Sequence, residues 1–412
     1  MTIENFDLLL TKYAQLVASL GVNVRKGQSI LIYAEIEQAP LVHAITDAAY
    51  ERGAAKVDVD WSDLHTKRAY LENAPEEMLS NLPTWVPVRS QNIADANTTR
   101  ISIMSADPDG FSHIDSNRIT LSERAFQNAN KAVREATMNN DIDWIVIGAA
   151  GREWSQKVFP DLEANDAQDA LWEQIFKISR ISADNNPEAD WTAHVEKLKE
   201  KSAWLNNHNF KELHFKSPIT DLTVGLAENH FWEAADSVDK SGHTFIANMP
   251  TEEVFTSPDY RNIEGHVKST KPLSYSGTLI KDIELTFKNG HVVDAHASTG
   301  EAVLKELLAT DEGATSLGEV SLVPDPSPIS QSGITFFNTL FDENASDHLA
   351  LGAAYPSNIN GGTQMGLAER QAHGQNDSLV HVDFMVGSAD MDVDGITFDG
   401  ESIPVFRNGD WA

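Results

Sequence analysis

Residues 29–61 restrict the chain more tightly than any other stretch. Ser29-Ile-Leu-Ile-Tyr33 reads as a strand, Ala39 to Glu51 as a helix closed by Gly53, and Lys56-Val-Asp-Val-Asp-Trp61 as a second strand. Strand, helix and strand in so short a span form a βαβ unit, which commits the region to a parallel sheet covered by helices. Ile101-Ser-Ile-Met104 and Trp144-Ile-Val-Ile-Gly148 extend the pattern, with a helix over 121–136 between them. Upstream, Ile3, Phe6, Leu10, Tyr13, Val17 and Leu20 recur at steps of three and four, the stripe of an amphipathic helix ending at Gly21. Helices over 166–181 and 189–205 close this part of the chain.

From His208 onward the pattern changes to short apolar runs broken by Gly, Pro and Asn, such as Leu222-Thr-Val-Gly-Leu226 and Ile283-Glu-Leu-Thr-Phe287. Asn289-Gly290 supplies the two positive φ values of a tight hairpin turn. A helix over 300–308 interrupts the strands. The expected architecture is an α/β N-terminal domain with a parallel sheet, residues 1–207, followed by an α+β C-terminal metal-binding catalytic domain, residues 208–412.

Charge narrows the partners. Sixty-two acidic against 31 basic residues leave a formal charge of -31, which repels phosphate backbones and anionic lipid, so nucleic acid and membrane surfaces are not expected partners. The chain has no cysteine, so any metal must be held by nitrogen and oxygen. No N-terminal signal segment and no apolar run of the ~20 residues needed for a membrane span are present, and a cytoplasmic location is expected.

Most of the 14 histidines lack acidic partners on a shared face, His43, His65, His113, His194 and His208 among them. His381 and His348 differ. In Leu379-Val-His-Val-Asp-Phe384, strand alternation puts His381 and Asp383 on one face and Val380, Val382 and Phe384 on the other. His348 follows Phe341-Asp-Glu-Asn-Ala-Ser-Asp347, in a segment of apolar and small residues where an unpaired charge is costly. Glu319 lies inside the apolar strand from Leu317 to Leu322; alternation groups it with Leu317, and a buried carboxylate there needs a partner.

Three residues keep two readings each. Glu253 either points inward from the strand Glu253-Val-Phe-Thr256 or is exposed with Glu252 behind a capping Thr251. Glu343 is either a ligand or one of the acids that begin a helix, with Asp342 and Asn344 as capping alternatives. Tyr355, expected just beyond a helix, is either a core aromatic or an acid or hydrogen-bond donor aimed at the site. Asp390-Met-Asp-Val-Asp-Gly with Glu401 fits a calcium-loop pattern, but its flanks read as strands where that loop needs helices, so an acidic hairpin is expected. Gly148-Ala-Ala-Gly151 is an incomplete nucleotide fingerprint.

Taken together, Asn248-Met-Pro-Thr-Glu-Glu-Val-Phe-Thr, Leu317-Gly-Glu-Val, Asn338-Thr-Leu-Phe-Asp-Glu-Asn-Ala-Ser-Asp-His-Leu-Ala-Leu-Gly-Ala-Ala-Tyr and His381-Val-Asp-Phe-Met resemble the thermophilic aminopeptidase family, over essentially the full length. The resemblance implies a dimeric two-metal aminopeptidase acting on short peptides, its site enclosed by domains and a partner subunit. It also implies that Glu253, Glu319, Glu343, His348, His381 and Asp383 are metal ligands, with Glu319 bridging and catalytic, and that Tyr355 is the active-site tyrosine. Two divalent ions, Zn, Co or Mn, suit such a set. Glu252 is a candidate for binding the substrate amino group or acting as base, and Trp232, Phe255 and Phe341 are candidate pocket residues. Asp347 departs from the family pattern and raises the expectation that it alters the tautomer of His348 or the ion preference. Another two-metal hydrolase, a dipeptidase or amidohydrolase, and a non-catalytic metal-binding protein are the competing readings.

Overall fold

The structure, a computed structural model, describes residues 3–412. The chain divides into two compact units: one runs to Val195 and adds Asp236–Pro250, and the other comprises Glu196–Ala235 and Thr251–Ala412. The division thus falls inside the long helix Pro187–His208 instead of at residue 207, and a later segment returns to the first unit. The return has a concrete cause in strand pairing.

In the first unit, β1 (Ser29–Glu35), β2 (Lys56–Ser62), β3 (Thr99–Met104) and β4 (Trp144–Gly148) are joined by β5 (Asn248–Met249). All pairings are parallel and the order is β2-β1-β3-β4-β5. The two residues of β5 lie opposite Val146 and Ile147, and Val146 N donates to Ala247 O at 2.8 Å. Without 236–250, β4 would be an unprotected sheet edge.

Helices pack on this sheet through the apolar stripe found in the sequence. Helix Phe6–Leu16 buries Leu10, Tyr13, Ala14 and Leu16 and widens into a π turn over Val17–Gly21. Tyr13 donates its hydroxyl to Gly148 O, and Phe176 packs edge-on against its ring at 6.3 Å. The single helix expected over 121–136 is two, Ser116–Ala129 and Lys131–Met138, because Asn130 leaves the helical region at φ −99° and ψ 16°.

The second unit holds an eight-stranded sheet and a four-stranded one. In the larger, strands Glu284–Lys288 and His291–His296 form the expected hairpin, with Asn289 and Gly290 at φ 48° and 85°. Asp392–Ile396 and Ser402–Arg407 pair antiparallel, so the acidic stretch after Asp390 belongs to a hairpin. The four-stranded antiparallel sheet carries the candidate site: β6 (Val254–Thr256), β7 (Leu317–Leu322), β8 (His348–Gly352) and β9 (His381–Met385), in that order. Segment 348–352, expected near a helix end, is a strand with every residue buried.

Among the described residues, no helix is long and apolar enough to cross a membrane.

Candidate metal centre

Register decides which side chains meet. His348 lies opposite both Ser321 and Met385, while Ala350 lies between Glu319 and Asp383, and Gly352 opposite His381. Cross-strand neighbours share a face, so Glu319, Ser321, His348, His381 and Asp383 project together. The other face carries Val320, Leu349 and Phe384 in one row, all at most 1% exposed.

Leu317 does not share the Glu319 face, as simple alternation would have it. The register shifts between Leu317 and Glu319, leaving Leu317 opposite Leu351 on the apolar side. The extra residue is Gly318, where a Cβ would lie 2.3 Å from Ala353 O and 2.4 Å from Gly352 O. A bulge turns the following side chain, and here it delivers Glu319 to the polar face.

Two triads result, and they share one carboxylate. Glu253, Glu319 and His348 each offer a ligand atom within 4.8 Å of the others, as do Glu319, His381 and Asp383. Glu319 Oε1 is 3.5 Å from His348 Nε2, and its Oε2 is 3.4 Å from His381 Nε2. Glu253 Oε2 is 3.0 Å from His348 Nε2. Glu252 and Glu253 are both buried, which removes the exposed-cap reading.

Both imidazoles are aimed by backbone. His348 Nδ1 is 2.9 Å from Glu343 O and 3.3 Å from Ser346 O, and His381 Nδ1 is 2.7 Å from Ala353 O. A proton on Nδ1 serves these carbonyls and leaves Nε2 free to face a cation. The nearest hydrogen-bond acceptors of His348 Nδ1 are thus backbone carbonyls, and Asp347 is bonded elsewhere. Its carboxylate accepts from Val323 N at 2.9 Å, and its burial, only partly offset by that bond, pushes its pKa to about 7.

The electrostatics fit a cation. Burial works against the Glu319 charge, yet hydrogen bonds from His348 and His381 hold its pKa down to about 2. Burial also opposes charge on His381, but Asp383 and Glu319 prevail and raise it to about 9. Burial lifts Asp383 to about 6 despite His381. Glu343 is pushed well above the usual carboxylate range by burial and then by Asp383, with Glu253 and Glu319 adding to it. Asp383 Oδ1 is buried without a hydrogen-bond donor, His381 Nε2 being 3.6 Å away. Without a cation the Nε2 protons of both imidazoles face these crowded carboxylates; given up to a divalent ion, the same nitrogens and carboxylates form a donor set for hard-to-borderline metals.

Glu343 belongs to neither triad; its Oε1 lies 3.4 Å from Asn344 Nδ2. Tyr355 follows β8 rather than a helix, and its ring meets that of His381 at 4.9 Å and that of Phe255 at 6.1 Å. Its pKa is raised well above 10 by burial and by Glu319, Asp383, Glu343 and Glu253. Of the three candidate pocket residues only Phe255 lies on the site face, opposite Ser321. Trp232 and Phe341 are fully buried core residues, Phe341 stacked on Phe336 at 5.2 Å.

Sequence reading missed Ser321 and the structural use of Asn344. Ser321 Oγ donates to Glu253 Oε2 at 2.9 Å. Asn344 Oδ1 accepts from Glu252 N at 2.8 Å while its Nδ2 donates to Leu340 O, so it ties the Glu252 loop to the Glu343 turn. Alternation from Glu319 would have found Ser321. Nothing in the sequence pairs Asn344 with residue 252.

A parallel α/β unit followed by a strand-borne carboxylate–imidazole cluster is the build of a metallohydrolase. Residues 6–411 match the thermophilic metalloprotease family, M29, and the chain belongs to it. Aminopeptidase AmpS of Bacillus subtilis (strain 168) is 47% identical over 410 residues, and aminopeptidase PepS of Streptococcus thermophilus 45% over 413, with 100% of each chain covered. The solved structure of wild-type AmpT from Thermus thermophilus is 40% identical, with a TM-score of 0.90 over 99% of this chain and 100% of that one. The fold class expected from the sequence agrees with this likeness.

Proposed function

We propose that the protein is a metal-dependent aminopeptidase that releases N-terminal residues from short peptides. Family membership and the names of the relatives support the activity. The observation that carries the site assignment is the sharing of Glu319 between two triads, one oxygen toward each imidazole. In this reading Glu253, Glu319 and His348 hold one divalent ion and Glu319, His381 and Asp383 the other, with Glu343 contributing to the same acidic ring. Zinc, cobalt or manganese suits the donors. Bound there, the ions supply Lewis acidity toward the scissile carbonyl and an acidified water.

The chain's own groups do the rest. Tyr355 stays a phenol at neutral pH and donates a hydrogen bond to the developing oxyanion. The buried carboxylates of Glu252 and Glu343 are our candidates to receive the free ammonium group of the substrate. Asn344 fixes the Glu252 backbone for that role. Phe255, beside Tyr355, offers the apolar contact for a substrate side chain. We assign the enzyme to the cytoplasm and to a homodimer, the latter testable by light scattering.

The direct test uses chelator-treated protein with aminoacyl-nitroanilides and short peptides, free or N-acetylated, with and without Zn, Co or Mn. Activity should vanish with chelator, return with an ion and require a free amino terminus. Cleavage of the acetylated peptides would reassign the protein to another class of hydrolase.

A further inference from the structure

The two triads receive unequal support from the residues around them. Glu253 is held at both oxygens: Oε2 accepts from Ser321 Oγ at 2.9 Å, and Oε1 lies 3.4 Å from Thr251 Oγ1. Asp383, the corresponding carboxylate of the other triad, has its Oδ1 buried with no donor. Ser321 is itself fully buried, on β7 two residues beyond Glu319, directly opposite His348 on one side and Phe255 on the other. Its hydroxyl therefore bonds one ligand candidate of the first triad while its backbone is registered with a second.

We infer that Ser321 is a positioning residue that sets the Glu253 carboxylate and makes the Glu253–Glu319–His348 position the tighter of the two cation sites. This inference rests on the two-cation reading above. The physical reason is preorganisation. A carboxylate on three rotatable bonds must lose that freedom when it ligates, and a hydroxyl donor that already fixes its plane removes part of the cost. The donated hydrogen bond also occupies one lone pair of Oε2, so the remaining lone pairs are the ones offered to a cation. Outer-shell partners of this kind typically change metal affinity by about 10- to 100-fold when removed. Asp383 lacks such a partner, and its position is also the more open of the two, since His381 and Asp383 are half-buried while Glu253 and His348 are buried.

The experiment is calorimetric titration of the full-length, chelator-treated protein with Zn(II) alone, and again with Mn(II). The native sequence should show two unequal steps. Ser321→Ala should weaken the tighter step by about 10- to 100-fold and leave the weaker step and the metal-free melting temperature unchanged. Asp383→Asn should abolish the weaker step, and adding Ser321→Ala to it should reproduce the same loss on the step that remains. Ser321→Thr and Ser321→Val, alike in shape and different only in the hydroxyl, provide a second comparison: Thr should bind more tightly than Val. Equal affinities for Thr and Val, or a loss in Ser321→Ala spread evenly over both steps with a lowered metal-free melting temperature, would overturn the inference. Uptake of fewer than two ions by the native protein would overturn the two-cation reading, and the inference with it.

Discussion

Ala350 is the direct cross-strand neighbour of Glu319 and, on its other side, of Asp383. A methyl group is thus all that separates the shared carboxylate from the second triad's acid along the ladder. Ala350→Leu would add three carbons to the floor of the site, an overpacking that costs about 1–3 kcal/mol where the surroundings are fixed. The expected outcome is a folded protein, with a melting temperature a few degrees lower, that retains less than one ion per chain by elemental analysis. Full ion content in that variant would show that the floor has room to spare.

Glu319→Gln and Glu253→Gln should separate the two triads. Glu319 is common to both and Glu253 to one, so the first variant should lose both ions and the second only one. Activity in Glu319→Gln should fall by at least about 1000-fold, the scale expected when an entire charge-stabilising group is removed. Retention of a full complement of ions in Glu319→Gln by elemental analysis would argue against a bridge.

Tyr355→Phe removes a hydroxyl and keeps the ring that packs on His381 and Phe255. If the phenol stabilises only the transition state, kcat should drop by about 100- to 1000-fold while KM and ion content change little. A rise in KM at constant kcat would assign the hydroxyl to substrate binding instead.

Asp342 gives a pH signature away from the triads. Its carboxylate accepts from Phe336 N at 2.8 Å and Asn338 N at 3.1 Å, yet burial outweighs these bonds and raises its pKa to about 6. The folded state therefore holds a proton that the unfolded state releases near pH 4, so this group's stabilising contribution is present below about pH 4 and lost as pH rises to about 6. The full span is worth up to about 3 kcal/mol for a shift of this size. Asp342→Asn should remove that slope from the pH dependence of denaturant unfolding, measured on chelated protein. An unchanged slope between pH 4 and 6 would mean that the carboxyl ionises freely in the fold.

The legible part of the site was the part that obeys a simple period. His381 and Asp383 fall on one face of an uninterrupted strand, and alternation found them. Glu319 was recognised as a buried acid, but its face was assigned with the wrong neighbour, because the bulge at Gly318 inserts a residue that no two-residue period can anticipate. The strand His348–Gly352 was obscured because its polar first residue follows a run of acids and caps that reads as a helix start. Tertiary pairing overrode local preference there. The βαβ unit was plain from turn and helix signals, whereas β5 is two residues long and comes from a segment 100 residues after β4, far too little sequence to announce a strand.

That short strand has a consequence for how the chain is made. The parallel sheet is completed by Asn248 and Met249, so a nascent chain that has emerged from the ribosome only as far as residue 207 has four of the five strands of that sheet, with Val146 and Ile147 paired to β3 on one side and open on the other. A fragment cut there would carry an open edge prone to self-association. Once residue 249 has been synthesised the edge is sealed, and Glu252 and Glu253 are the next acids to emerge. The first ligand candidate thus appears only after the parallel sheet that precedes it in the chain can close.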